Sequence, residues 1–500
     1  QPQKKSIQIR LRLLNEVWTP PPYSHRNDGH WPTWWFVFDR LLDNNLQHEP
    51  QYPNLATHWE STSDRLTHTF YLRRDVRWHD GKPFTAHDVE ATFLTILDGY
   101  LIAPVGLGQF YLLVGFDDYR AKKTKKISGL QVLDDHTIRF ELTRQAPFFL
   151  WNVGIVSILP KHQLDIVGKS SKMEGHKIWR DPGPVGTGPF KLVETQPYQF
   201  LRLEAYDAYH RGRPRIDEVI FHDKDEALAA INNQLDLGFP PTPSAAAEID
   251  ALPHMEIVPL RSNSNAVIRL NVSLPNLQDV RVRRALFHAI DREAISQGIF
   301  GAYGGAEVPV TVMPAATWRH LGLPRMEYDP EKSKALLKEA GWNPARPLKI
   351  VLRDIDMAGI RLDLATIAQD YWRRIGVDVK VEAVEAAILS EQMLRGEFDF
   401  YVGGWTDILP LNMVNFRSDG PHKAAYGYLN LEVDALAARV DTTSDRKELR
   451  ELYLKMQELV WEDMVYFPLL HPLVLMAKSK RLKTGPMPDT LNYPTAMWFH

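Results

Sequence analysis

Between Leu348 and Asp407 the apolar positions switch repeatedly between a period of two and a period near 3.6. Leu348-Lys-Ile-Val-Leu352 predicts a short strand. Leu362 to Ile375 predicts an amphipathic helix: Leu364, Ile367, Ala368, Tyr371, Trp372 and Ile375 recur at three- and four-residue spacing, and Gly376 follows as a stop. Val377, Val379 and Val381 then alternate with polar residues, as a strand with one buried face does. A second helical run, Ile388 to Leu394, ends at Gly396, and Phe398, Phe400 and Val402 predict a third strand. Strand, helix, strand, helix, strand with short links implies parallel strands joined by right-handed crossovers. The third strand runs out at Gly403-Gly-Trp-Thr-Asp407. Open α/β sheets hold their ligands at such carboxyl ends, so this edge is predicted to form one wall of a cleft.

The same reading extends along the chain. Ile7, Ile9, Leu11 and Leu13 alternate as a strand, which runs into Val17-Trp-Thr-Pro-Pro-Pro-Tyr-Ser-His25. Those prolines forbid a helix and favour an extended loop. Trp18, Tyr23 and His25 either reach a cleft from it or decorate a plain surface loop. Trp34 to Leu42 is predicted as a helix, and Thr67 to Leu72 alternates as a strand after Asn54–Glu60. Asp80-Gly81 predicts a hairpin-type turn, with Thr85 as N-cap of a helix over Val89–Leu97. Asp329 is predicted to cap a helix with Pro330 at its first position and Gly341 as its stop.

At 500 residues the chain is too long for one core, so two or three domains are expected. Its 59 basic and 62 acidic residues nearly cancel to a net charge of -3, which argues against nucleic acid as a main partner. Cysteine is absent, which excludes disulfides, iron–sulfur clusters, thiolate metal sites and cysteine catalysis. The longest apolar run, Phe148 to Leu159, is too short to span a bilayer. No secretory signal opens the sequence, so Gln1 is read as a mature or trimmed start. The 14 tryptophans fit an aromatic-lined cleft, although core packing uses them equally well.

Motifs for catalysis are weak. Gly186-Thr-Gly188 lacks the Lys-Ser/Thr of a phosphate loop and the third glycine of a dinucleotide fingerprint, so it reads as a turn. His79-Asp80 and His87-Asp88 stand at a spacing that matches no standard metal-ligand pattern, and both aspartates have local structural work. Asp291-Arg292 reads as a cap or an ion pair. No serine sits in a Gly-x-Ser-x-Gly elbow, and no paired carboxylates stand out. No catalytic residue, metal site or cofactor is therefore expected.

Taken together in chain order, several blocks closely resemble the dipeptide/oligopeptide/nickel-binding family of ABC-transporter solute receptors, the extracytoplasmic family 5 type. They are Asn54–Glu60, Val76–Val89, Pro184-Val-Gly-Thr-Gly-Pro-Phe190 and Asp279-Val-Arg-Val-Arg-Arg-Ala285 with Ala289–Arg292. Tyr328-Asp-Pro-Glu-Lys with Ala340-Gly-Trp342 and Tyr428 with Val433–Leu436 complete the set. The resemblance implies an α/β, two-lobe periplasmic-binding-protein fold (class II, cluster C type) with an extra subdomain inserted in lobe I. Mapped onto this chain, residues 1–40, 178–265 and 474–500 form lobe I, 41–177 the inserted subdomain and 266–473 lobe II. It further implies a periplasmic monomer that clamps a small zwitterionic or peptide-like ligand and delivers it to membrane permease subunits.

In peptide-binding relatives an aspartate shortly after a Gly-Trp pair holds the ligand's α-ammonium. Here Asp407 falls two residues after Trp405 where the usual pattern places it three after, and Leu409-Pro410 replaces the usual Asp-Pro. Oligosaccharides, opine-like conjugates and a nickel chelate therefore stay open as ligands, as does, from another class, a metal-dependent hydrolase. The expected ligand contacts are Asp407, its neighbours Trp405 and Thr406, the cations Arg353 and Arg361 for a ligand carboxylate, and the amides Asn412 and Asn415. Trp18, Tyr23 and His25 are expected from the opposite wall.

Overall fold

The computed structural model describes residues 6–10, 34–44, 50–100, 107–168, 176–179, 181, 183–196, 199–222, 225–240, 242–261, 264–311, 318–344, 346–354, 360–404, 413, 416–420 and 426–482. Along the chain, β1 (Ser6–Arg10) is followed by the antiparallel pair β2 (Leu42–Asn44) and β3 (Pro50–Pro53). β4 (Ala56–Ser61), β5 (Thr67–Leu72), β6 (Leu130–Asp134) and β7 (Thr137–Glu141) form an antiparallel sheet in the order β4-β5-β7-β6. Next come β8 (Phe190–Gln196), β9 (Phe200–Ala205), β10 (Glu218–His222), β11 (Leu237–Gly238) and β12 (Met255–Arg261). β13 (Ala266–Leu270), β14 (Leu348–Arg353), β15 (Val379–Val384), β16 (Phe400–Gly403) and β17 (Tyr466–Leu470) make a five-stranded sheet in the order β15-β14-β16-β13-β17. β18 (Leu473–Ser479) returns to the first sheet, whose order is β12-β18-β11-β1-β10-β9-β8.

The predicted strand–helix unit folds as its periodicity requires. β14 pairs in parallel with both β15 and β16. The helix Arg361–Arg374 buries Leu364, Ala365, Ala368 and Trp372 against that sheet, and the Trp372 indole donates to the Leu286 carbonyl at 2.7 Å. Gly376 and Gly396 take φ of +85° and +66°, so both helices stop where only glycine turns without strain. The unit is anchored at its base by Asp399, fully buried, which accepts two bonds from Arg346 and one from the Lys349 amide.

The capping expectations also hold. Thr85 starts the helix Ala86–Leu97, and the Asp88 carboxylate reaches back to the Thr85 amide at 2.8 Å. Asp329 accepts from the Lys332 amide, Pro330 takes the first position, and Gly341 has φ +67°. Gly81 turns at φ +86° between Trp78 and Lys82, whose backbones pair at 2.9 Å. Asp291 caps the helix Arg292–Phe300 by accepting from Ala294.

Trp34–Leu42 is not the predicted helix. After a single turn at Trp34 the chain becomes extended, bridges at Arg40 to Ser157 and enters β2. Val37 and Phe36 give their carbonyls to Gly188 and Phe190 instead. Phe36, Val37, Phe38 and Leu41 are all essentially inaccessible, and a run buried on every side carries no amphipathic period to read.

Among the described residues two apolar clusters are the largest. One lies beneath the first and four-stranded sheets, and the other packs between the five-stranded sheet and the helices Val280–His288, Arg292–Phe300 and Arg361–Arg374. Among the described residues no helix is long and apolar enough to cross a membrane.

Candidate functional site

The chain passes between the two larger sheets twice, between Arg261 and Ala266 and between Leu470 and Leu473. In the first sheet β10 and β11 both run parallel to β1, while β18 is antiparallel to β11 and β12 antiparallel to β18. Arg261 at the end of β12 pairs with Leu473 at the start of β18, so both passages leave from the edge where β1, β10 and β11 end. In the second sheet Ala266 pairs with Leu470, and Val267 pairs with Gly403 at the end of β16. β14 and β16 are parallel with Val351 opposite Tyr401, which puts Arg353 level with Gly403. Each sheet therefore turns the carboxyl ends of its parallel strands toward the two connections. That is the arrangement in which α/β sheets form ligand crevices.

Paired residues on neighbouring strands share a face. Arg353, Gly403 and Val267 thus form a row at the edge, and Val351, Tyr401, Arg269 and Tyr466 form the next row inward on the same face. Gly403 leaves a gap that the Tyr401 ring occupies: a Cβ at Gly403 would stand 2.6 Å from the Tyr401 hydroxyl. The Arg269 guanidinium carbon lies 5.3, 5.7 and 5.4 Å from the ring centroids of Tyr401, Tyr426 and Tyr466, and it donates to the Tyr426 hydroxyl at 3.1 Å. Burial acts to lower the Arg269 pKa, but the surrounding tyrosines outweigh it and hold the group above its ordinary value. Burial raises the Tyr426 and Tyr466 phenols, so both stay neutral beside the cation.

Of the expected contacts, Arg353 closes β14 at this edge and Arg361 opens the following helix. Asp407, Trp405, Thr406, Asn412, Asn415, Trp18, Tyr23 and His25 lie outside the described residues. Gly404, the last described residue before Trp405, packs on the first passage between the sheets, where its Cβ would meet the Asn265 carbonyl. Arg269 escaped the sequence reading because an arginine in an alternating strand looks like a solvent-facing position. The tyrosines around it come from three distant segments.

The motifs read as structural have structural partners. The His79 ring donates from Nε2 to the Gly188 carbonyl at 2.9 Å and accepts at Nδ1 from the Gly186 amide. A Cβ on Gly186 would come within 1.7 Å of the Val37 carbonyl, so the Gly-Thr-Gly stretch is a close-packed turn. Asp80 pairs with His162 and receives the Lys82 amide. Asp291 is the cap described above. Among the described residues no three His, Asp or Glu side chains gather as a metal site.

Residues 51–423 match the model of the bacterial extracellular solute-binding proteins, family 5 Middle. The dipeptide-binding protein of Escherichia coli is 27% identical over 476 residues, covering 89% of this chain and 86% of that protein. The ABC transporter substrate-binding protein CtaP of Listeria monocytogenes has a similar structure, with a TM-score of 0.81, 26% identity and coverage of 99% and 98% of the two chains. The oligopeptide-binding protein AppA of Bacillus subtilis, solved with a nonapeptide, superposes with a TM-score of 0.79 at 23% identity over 100% of both chains. The architecture is accordingly the two-lobe fold of periplasmic peptide-binding proteins, and the chain belongs to the family 5 bacterial extracellular solute-binding proteins.

Proposed function

We propose that this protein is the solute receptor of an ABC importer, working in the periplasm as a monomer. It captures a small peptide-like or zwitterionic ligand between two hinged lobes and delivers it to the membrane permease without converting it, and nucleic acid is not a partner. Lobe I comprises residues 1–40, 178–265 and 474–500, with 41–177 as an inserted subdomain, and lobe II comprises 266–473. The distribution of the sheets supports this division, since the four-stranded antiparallel sheet falls wholly within 41–177.

The reading is carried by two mixed sheets whose parallel strands end at edges turned toward the two chain connections. A ligand seated there touches both walls at once and so favours the closed arrangement over the open one. Asp407 is assigned to the ligand's ammonium, since a charge-assisted hydrogen bond in a closed cleft is unscreened and strong. Trp405 stacks on the ligand beside Thr406, Arg353 and Arg361 serve its carboxylate, and Asn412 and Asn415 add amide hydrogen bonds. Trp18, Tyr23 and His25 supply the facing wall from the segment after β1.

Native mass spectrometry of the purified protein, followed by calorimetry against di- and tripeptides, tests this directly. A retained ligand mass and saturable binding are expected, and Asp407→Ala should lose most affinity for amine-bearing ligands while melting as the parent does. An unaltered dissociation constant would remove Asp407 from the site. Turnover of a captured molecule would overturn the receptor assignment.

A further inference from the structure

We propose that the inserted subdomain carries an aromatic latch: Phe148 and Trp151 engage Trp318 and Tyr453 of lobe II when the lobes close, part from them when the lobes open, and so set the resting balance between the two arrangements. This rests on the receptor reading and the lobe division above, and deepens them.

The four rings pack together although distant segments supply them. Phe148 lies 6.0 Å from Tyr453 and 6.5 Å from Trp318, and Trp151 lies 6.2 Å from Trp318. All four are buried, and the other buried residues of their cluster fall within 266–473. Phe149 and Val153 instead face the cluster beneath the first and four-stranded sheets. The segment Phe148–Ile155 thus keeps one side in its own half and offers two rings to the opposite one.

The contact has the features of one that separates. Among the described residues no strand of 41–177 pairs with the five-stranded sheet. The two hydrogen bonds beside the rings, Arg144 to the Asp441 carbonyl and Ser444 to Gln145, are made by side chains. The indole nitrogens of Trp151 and Trp318 and the Tyr453 hydroxyl are buried without a hydrogen-bond partner among the described residues. A buried donor left unpaired is costly, and opening returns these groups to water. Ring packing therefore favours the closed arrangement while the unpaired donors oppose it. Because the ligand favours the closed arrangement, its apparent affinity follows the population of that state. A change in the latch alters affinity for every ligand by one factor and leaves the order of preference among ligands as it was.

Small-angle X-ray scattering of the full chain, stripped of any retained ligand, and calorimetry with Ala-Ala, Ala-Ala-Ala and Lys-Ala-Ala test the latch. Phe148→Ala should enlarge the radius of gyration of the free protein, with circular dichroism verifying the fold. It should also weaken all three peptides by one common factor, roughly tenfold, as expected for losing two aromatic pairs. Tyr453→Phe removes only the unpaired hydroxyl and should shift both readouts the opposite way, a comparison that stands even if Phe148→Ala does not fold. Because the chain has no cysteine, Gln145→Cys with Ser444→Cys can be joined by a short reducible cross-linker, which should stop peptide entry until it is reduced. Parental scattering and affinities in both variants, a loss confined to one peptide, or a cross-linked protein that takes up peptide at the parental rate overturns the inference and leaves the receptor reading standing. A parent protein that binds none of the peptides overturns the peptide reading, while the scattering comparison still decides the latch.

Discussion

Gly404 lies so close to Asn265 that a Cβ on Gly404 would stand 1.9 Å from the Asn265 carbonyl oxygen. Neither partner can yield easily, because that carbonyl is backbone and Asn265 is 3% exposed at the first passage between the sheets. Gly404→Ala must therefore push the end of β16 away from the connecting strand. We expect a loss of roughly 1–3 kcal/mol, the usual cost of overpacking, read as a lower Tm together with weaker ligand binding. An alanine variant that melts and binds like the parent would show that the two strands separate freely.

The unit holding that glycine was legible in the sequence down to its helix stops, because its longer helix and its edge strand β15 each have one wet and one dry side. Leu364, Ala368 and Trp372 repeat at helical spacing, and Val379 and Val381 alternate, so local pattern and tertiary position agree. The stretch from Trp34 to Leu42 was not legible for the opposite reason: its neighbours bury it from all directions, and a continuous apolar run has no period that separates a buried extended segment from a helix. The edge of the sheet at Gly403 followed from the crossover rule, and Arg353 does stand level with it. Arg269 did not follow from any local rule. Its environment depends on Tyr401, Tyr426 and Tyr466, which only the pairing of β13 with β16 and β17 and the return of the chain at Tyr426 bring together.

His79 makes stability depend on pH. Burial holds its pKa down from 6.5 to about 4, despite the opposing effect of its bond to the Gly188 carbonyl. The unfolded chain binds this proton near pH 6.5 and the folded one only near pH 4, so stability is lost as pH falls through that window. A shift of this size corresponds to no more than about 3 kcal/mol. His68, stacked on Phe149 at 4.7 Å with its pKa also lowered to about 4 by burial, adds in the same direction. Chemical denaturation between pH 7 and pH 4 should show this decline, and His79→Gln, which keeps a donor and an acceptor but no titration, should flatten part of it. An identical slope in the variant would assign the pH dependence to other groups.

Arg292 holds three separate segments with one side chain. Its guanidinium lies 4.6 Å from the Phe287 ring centroid and donates to Pro309 at 2.6 Å, Pro468 at 2.9 Å and Met326 at 3.2 Å. Burial pulls its pKa down to about 10, which still leaves it charged at neutral pH. Arg292→Met preserves length and apolar contact but leaves buried carbonyls without these donors. A loss on the order of 3 kcal/mol is expected, and Arg292→Lys, with a single ammonium for three separated acceptors, should fall between the two. Urea midpoints with unchanged slope measure it; midpoints equal to the parent's would mean that water replaces the arginine at no cost.

Phe148 joins parts of the molecule that belong to different sheets. It directly precedes the helix Phe149–Ile155, which packs beside β2, yet its ring lies 6.0 Å from Tyr453 and 6.5 Å from Trp318, on the side of the five-stranded sheet. Trp151 stands 6.2 Å from the same Trp318, and all four rings are buried. Two polar contacts flank the cluster, Arg144 to the Asp441 carbonyl at 2.7 Å and Ser444 to Gln145 at 2.9 Å. Polar contacts at the rim of a cluster contribute modestly, and the four buried rings contribute the larger share of this contact. Phe148→Ala opens a cavity beside two indoles, and about 3 kcal/mol of stability should be lost, the low end for a buried phenylalanine. Because Trp151 and Trp318 both border that cavity, entry of water should also shift the tryptophan emission to longer wavelength. Phe148→Leu keeps most of the volume and should move neither signal far. A Phe148→Ala protein with parental melting and parental emission would show that the two halves are held together elsewhere.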